Sequence, residues 1–183
     1  GEIQLQGHRI IFTGDQIGSP VLVFSNTAEN GQGGNIIVKA SETLEITGSL
    51  SGLLTQADRK GRAGNIIVET PMLTLNGGGL IQSSASEFDD GKAGDISVNA
   101  SEQILMSNLN SFSTTPANIA TIAYKGDGGN LSIQTENLIL KNGAELSTST
   151  FGLGKGGNIF IKAADIEVSG IQIIGRRSLI SSI

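Results

Sequence analysis

The sequence predicts an all-β fold, a right-handed parallel β-helix of about six coils with three short strands in each. Three observations predict it. First, a glycine motif recurs as Gly31-Gln-Gly-Gly-Asn-Ile36, Gly61-Arg-Ala-Gly-Asn-Ile66, Gly91-Lys-Ala-Gly-Asp-Ile96, Gly126-Asp-Gly-Gly-Asn-Leu131 and Gly154-Lys-Gly-Gly-Asn-Ile159, its first glycines 30, 30, 35 and 28 residues apart. A near-fixed period of this length marks stacked structural units. Second, strict apolar–polar alternation follows every motif, the period of a half-buried strand. Third, a unit of about thirty residues with three short strands has no partner layer of its own, so its apolar face is buried only if equivalent strands pair from coil to coil.

The elements follow in order along each unit. Inward positions of the first strand are Ile36, Val38 and Ala40; Ile66, Val68 and Thr70; Ile96, Val98 and Ala100; Leu131, Ile133 and Thr135; Ile159, Ile161 and Ala163. A second strand follows with inward pairs Leu44 and Ile46, Leu73 and Leu75, Ile104 and Met106, Leu138 and Leu140, Ile166 and Val168. It closes at Gly48, Asn76-Gly77, Asn142-Gly143 or Gly170, residues suited to tight turns. A less regular third strand spans about Leu53 to Ala57, Leu80 to Ala85, Ile119 to Tyr124 and Leu146 to Thr150.

The 183 residues form a single segment, with repeat units at about 31–60, 61–90, 91–125, 126–153 and 154–183 and residues 1–30 as a preceding coil. Strand spacing of roughly 4.8 Å makes the stack on the order of 30 Å long and aligns like residues in columns. Ile36, Ile66, Ile96, Leu131 and Ile159 become an aliphatic ladder. Asn35, Asn65, Asp95, Asn130 and Asn158 become an amide ladder, bonding along the axis or to turn backbone. Gly34, Gly64, Gly94, Gly129 and Gly157 precede them and supply backbone geometry that a Cβ resists. Both sets are expected to be structural. The third unit is longer; its extra residues fall in Ser107 to Asn118, where Pro116 interrupts strand pairing, and insertions in such stacks map to surface loops on one face.

Composition narrows the functions. A net charge of −5 gives no basic surface for nucleic acid, and no apolar run is long enough to span a bilayer. The 26 glycines are periodic rather than scattered, which reads as order. With no cysteine there are no disulfides and no thiolate chemistry. Residue 1 is Gly rather than Met, so a processed or excised piece is expected, with any export signal outside it.

The cadence Gly-Lys-Gly-Gly-Asn-Ile-Phe-Ile-Lys-Ala at 154–163, with Leu-Ile-Leu-Lys-Asn-Gly-Ala-Glu-Leu-Ser-Thr-Ser-Thr-Phe-Gly at 138–152, resembles the repeats of large filamentous-haemagglutinin-type exoproteins, especially cyanobacterial ones. The resemblance covers about residues 31–170. It implies a long extracellular β-helical fibre, exported by two-partner secretion through an outer-membrane protein and serving adhesion or surface architecture. It supplies no motif position for a receptor site.

Parallel β-helices also carry polysaccharide lyases and hydrolases, so chemistry is judged residue by residue. The outward columns Lys39, Glu69, Asn99, Gln134, Lys162 and Glu45, Thr74, Leu105, Ile139, Glu167 place no two carboxylates in neighbouring coils, and acid–base catalysis needs such convergence. Glu87, Asp89 and Asp90 form the densest acidic group; with Lys92 and Arg62 near, a solvated turn is expected rather than a calcium site. The glycine motif lacks both the nine-residue period and aspartate column of calcium-binding repeats and the Lys-Ser or Lys-Thr of a phosphate loop. His8, the single histidine, has no second ligand. No catalytic residue, cofactor or metal is expected. The hydroxyl-rich Ser83-Ser84-Ala85-Ser86 and Ser147-Thr148-Ser149-Thr150 mix inward packing with outward hydroxyls, the alternative being a face that contacts glycans or ordered water, while Phe88, Tyr124 and Phe151 are expected to cover turn backbone or cap an apolar column or, if exposed together, to offer a carbohydrate-stacking platform. Strand-like ends, Glu2 to Gln6 and Arg177 to Ile183, suit neighbouring coils or end-to-end association. The expected function is a non-catalytic structural and adhesive segment at the outer cell surface, with a glycan or cell-surface ligand; a carbohydrate-active fragment and a self-assembling filament subunit are the alternatives.

Overall fold

The computed structural model describes residues 1–14, 19–86, 88, 90–108, 115–170 and 177–183, and these form a parallel β-helix with no helix in it. Long strands alternate with short ones: β1 (Ile3–Thr13), β2 (Leu22–Thr27), β3 (Ile36–Thr47), β4 (Gly52–Ala57), β5 (Ile66–Asn76), β6 (Leu80–Ala85), β7 (Ile96–Ser107), β8 (Asn118–Ala123), β9 (Leu131–Lys141), β10 (Glu145–Thr150), β11 (Ile159–Lys162), β12 (Asp165–Ser169) and β13 (Leu179–Ser182). One sheet runs β1-β3-β5-β7-β9-β11 with β12 also on β9, and the other runs β2-β4-β6-β8-β10-β13. Every pairing between them is parallel.

The first two strands expected in each coil run into one another through a bend. Register slips there, between Lys39 and Thr43, Thr70 and Met72, and Ala100 and Gln103. Only in the last layer does the strand divide, into β11 and β12. The slip has a readable cause. Strands β3 and β7 have 12 residues and bring Ala40 and Ala100 to the bend; β5 and β9 have 11 and bring Thr70 and Thr135. The two threonine hydroxyls donate across the shorter bend, to Met72 O at 3.0 Å and Asn137 O at 3.3 Å. Pro71 sits in one such bend, where no ladder N–H is required of it.

Register sets the core. Ile36 pairs Ile66, Ile66 pairs Ile96, Ile96 pairs Leu131 and Leu131 pairs Ile159, with Ile3 extending the column beyond Ile36. Leu44, Leu73, Ile104 and Leu138 stack likewise, as do Leu53, Ile81, Ile119 and Leu146 from the short strands. Apart from Ile3 and Ile159 in the end layers, which are partly buried, these interior side chains are almost fully buried. Fully burying one aliphatic side chain contributes about 1.5–3 kcal/mol, so these columns are the main stabilising element of the rod. Where the cross-section narrows towards the motif turns, Ala57, Ala63, Ala85 and Ala123 form a second small cluster.

The turn after each long strand is where the backbone becomes left-handed. Gly48, Gly77, Gly143 and Gly170 have φ of 108°, 60°, 84° and 81°, and Asn142 has φ of 54°. Asparagine is among the few residues besides glycine that tolerate this region, so Asn142-Gly143 builds the turn where a bulkier pair would strain it.

Candidate functional site

Each motif residue is held by the coil before it. Asn35, Asn65, Asp95, Asn130 and Asn158 stand in one column, and each Oδ1 accepts the backbone N–H of the next: Asn65 N at 3.0 Å, Asp95 N at 2.9 Å, Asn130 N at 2.7 Å and Asn158 N at 3.0 Å. The backbone carbonyl of each then accepts from the following residue of the previous coil, as in Ile36 N to Asn65 O at 2.9 Å. Only an acceptor is needed, which is why aspartate serves at 95. Its second oxygen takes the Arg62 guanidinium at 2.7 Å.

Gly34, Gly64, Gly94, Gly129 and Gly157 are required by space and not by dihedral angle. A Cβ on any of the last four would run into the carbonyl oxygen of the equivalent glycine one coil earlier, and on Gly34 into Gly1 O. None has a positive φ. The turns are stacked too closely for any side chain between them.

Hydroxyls on the short strands complete the turn, with a direction that strand alternation alone does not reveal. Ser25, Thr55, Ser83, Thr121, Thr148 and Ser182 share one register column, the middle four buried. Across the interior they donate to the motif carbonyls: Thr55 to Gly64 O at 2.7 Å, Thr121 to Gly129 O at 2.6 Å, Thr148 to Gly157 O at 2.9 Å and Ser182 to the same Gly157 O at 2.8 Å. Ser83 Oγ accepts from Gly94 N at 2.8 Å. A buried carbonyl without a partner costs about 1–3 kcal/mol, so these hydroxyls are structural. The available signal was a Ser or Thr two residues after the first inward aliphatic of every short strand.

On the outside, several charged residues pair between neighbouring coils: Lys39 with Glu69 at 2.9 Å, Lys92 with Asp127 at 2.7 Å, Lys141 with Glu167 at 3.2 Å and Arg9 with Glu45 at 4.0 Å. The Lys92 ammonium, then the Lys155 backbone N–H, hold the Asp127 carboxyl below the ordinary carboxylate range. The Ser169 hydroxyl and then Lys141 lower Glu167.

Both sheets carry concave surface. A groove follows the bends of the long strands as adjoining hollows of about 560 and 550 Å³, meeting at Asn99 and Ser101. Its wall is the register column Gln6, Lys39, Glu69, Asn99, Gln134, Lys162, in which no two carboxylates are neighbours. His8 lies at one end, its Nδ1 2.7 Å from Ser41 Oγ. A smaller hollow of about 320 Å³ on the short-strand sheet is lined by Gln56, Gln82, Ser84, Ile122, Phe88 and Tyr124 among others. Tyr124 also stacks on Phe151, ring centroids 5.4 Å apart at 35°. Phe88, Tyr124 and Phe151 are all exposed.

No group of three or more His, Asp or Glu poised for a metal occurs among the described residues. The acidic group Glu87, Asp89 and Asp90 falls largely outside them, as do residues 109–114 of the insertion. The residues on either side are tied down: Asn108 Nδ2 donates to Thr115 O at 3.1 Å, and Ser49 and Thr115 hydroxyls meet at 2.9 Å. No family model matches the chain, and neither a curated protein nor a solved structure matches it.

Proposed function

We propose that the chain is a non-catalytic structural and adhesive segment of a large secreted or cell-surface fibre, of the filamentous-haemagglutinin type its repeats resemble. The observation that carries this reading is that the columns of like polar side chains are used in coil-to-coil bonding. Asparagines cap the next turn, hydroxyls hold turn carbonyls, and lysines neutralise the glutamate or aspartate of an adjacent layer. Catalysis needs the reverse, ionisable groups converging on space left for substrate. A stack of like on like favours a spacer that displays lateral surfaces and passes its ladder to neighbouring coils of a longer chain. Its place is outside the cell, with export by two-partner secretion.

Display of the segment on a bacterial surface tests this. Attachment of the displaying cells to glycan-coated or host-cell surfaces, with no products released from soluble polysaccharides, is the expected result. Release of reducing ends or unsaturated sugars by the purified chain would replace it with a carbohydrate-active enzyme, to which the long lateral groove would then belong.

A further inference from the structure

Three exposed aromatic side chains stand close together on one side of the rod. Tyr124 directly follows β8 and Phe151 directly follows β10, and because Ala123 pairs with Thr150 the two rings occupy the same position one layer apart. Phe88 lies one layer earlier, joined to this position by the Lys125 ammonium, which donates to Phe88 O at 3.1 Å. Phe88, Tyr124 and Phe151 are 75 %, 43 % and 68 % exposed. Placing a ring of this size in the core would contribute about 1.5–3 kcal/mol, yet all three stand on one stretch of surface.

The hollow between Phe88 and Tyr124 adds polar groups of one kind. Its amides and hydroxyls come from Gln56, Gln82 and Ser84, and among the described residues every side chain lining it is uncharged although the chain carries −5. Gln56 spends its Nε2 on Asp58 and keeps its oxygen. The side chains of Gln82 and Ser84 make no hydrogen bond among the described residues. Unspent amide and hydroxyl groups beside exposed ring faces match a sugar, whose C–H face is apolar and whose rim carries hydroxyls that both give and accept hydrogen bonds. The Lys125 ammonium at the rim is spent on the Phe88 carbonyl, so the described side chains lining the hollow offer neutral amides, hydroxyls and rings.

We infer that this surface, Phe88, Tyr124 and Phe151 with Gln56, Gln82 and Ser84, binds a neutral oligosaccharide along the rod, the rings carrying successive pyranoses. The inference rests on the adhesive reading above and names the class of its ligand.

Tyr124 is the single tyrosine and there is no tryptophan, so tyrosine emission reports this site alone. Titration with cellohexaose and laminarihexaose should give a saturable change in that emission with at least one of them, unaltered when salt is raised from about 0.1 to about 1 M. Affinity electrophoresis in gels of the matching β-glucan should show binding weakened about tenfold or more by Tyr124→Ala or Gln82→Ala. Phe160→Ala, an exposed ring on the other sheet, should bind as the parent does, and all variants should melt as it does. No response to either neutral sugar, a response to heparin oligosaccharide only, or equal loss from Phe160→Ala would overturn the inference. The fibre reading survives that failure if displayed cells still adhere; sugar cleavage sinks the non-catalytic reading and leaves the binding surface in place.

Discussion

A hydrogen atom in place of a methyl decides whether two coils can lie one over the other. Gly94→Ala drives a Cβ into the carbonyl of Gly64, a backbone group that cannot rotate away, whereas Gly31→Ala meets only the Thr27 hydroxyl at 3.5 Å. We expect Gly94→Ala to cost about 3 kcal/mol or more and Gly31→Ala to stay within about 0.5 kcal/mol, read by urea denaturation. Equal costs would mean that the motif glycines act through dihedral freedom. A second residue-scale expectation concerns pH. Asp127 has its folded pKa lowered from 3.8, so its contribution is present above that value and disappears as pH falls through the lower, folded one. Asp127→Asn keeps an acceptor for the Lys155 N–H and loses the Lys92 charge, so it should cost less than about 1 kcal/mol at neutral pH. The difference from the parent should shrink as pH falls through the lowered folded value, measured by melting across pH 2 to 7. At this scale the asparagine column was legible because one residue type recurs at one period. The hydroxyl column was not, because serine and threonine are ordinary on either face of a strand and only the turn carbonyls decide which face they take.

At the scale of the element, alternation identified the strands, and the left-handed turns at Asn142-Gly143 and Gly170 were visible as residue types that suit them. The bend escaped notice for a physical reason. A slip of one residue reverses side-chain direction, so two strands joined through a bend look in sequence like two strands separated by a corner. The bracing by Thr70 and Thr135 is a side-chain choice that follows strand length, and it becomes meaningful only after the neighbouring coils are laid in register. The coupling between short strand and turn is testable through Thr121. Replacing it by valine keeps the shape and removes the donor to Gly129 O, which lies in the interior of the stack. The expected loss is about 1–3 kcal/mol by chemical denaturation, whereas Thr43→Val, a long-strand threonine outside this hydroxyl column, should be near neutral. Loss of stability in both alike would point to strand packing and not to the carbonyl.

For the whole molecule, a stack in which each coil touches only its neighbours distributes stability as a profile along the axis. In β5 and β7 the inward side chains are buried and both edges are paired. At one end β12 is almost wholly exposed and Ile166 and Val168 lie open; at the other, Ile11 and Phe24 do. Among the described residues, β1 ladders onto β3 alone and β13 onto β10 alone. Amide exchange should therefore be slowest in β5 and β7 and fastest in β12 and β13, with β1 and β2 between, since opening an end layer breaks one interface and opening a middle layer breaks two. The same profile should shift when neighbouring coils are supplied. If the segment is part of a longer ladder, extending it by the coils of its parent chain should move the fast-exchanging layers outward and slow β12 by at least about tenfold, each 1.4 kcal/mol of added interface being a factor of ten. Uniform protection from β1 to β13 in the isolated segment would instead mean that the coils unfold as one unit, and the additive picture of the rod would have to be abandoned.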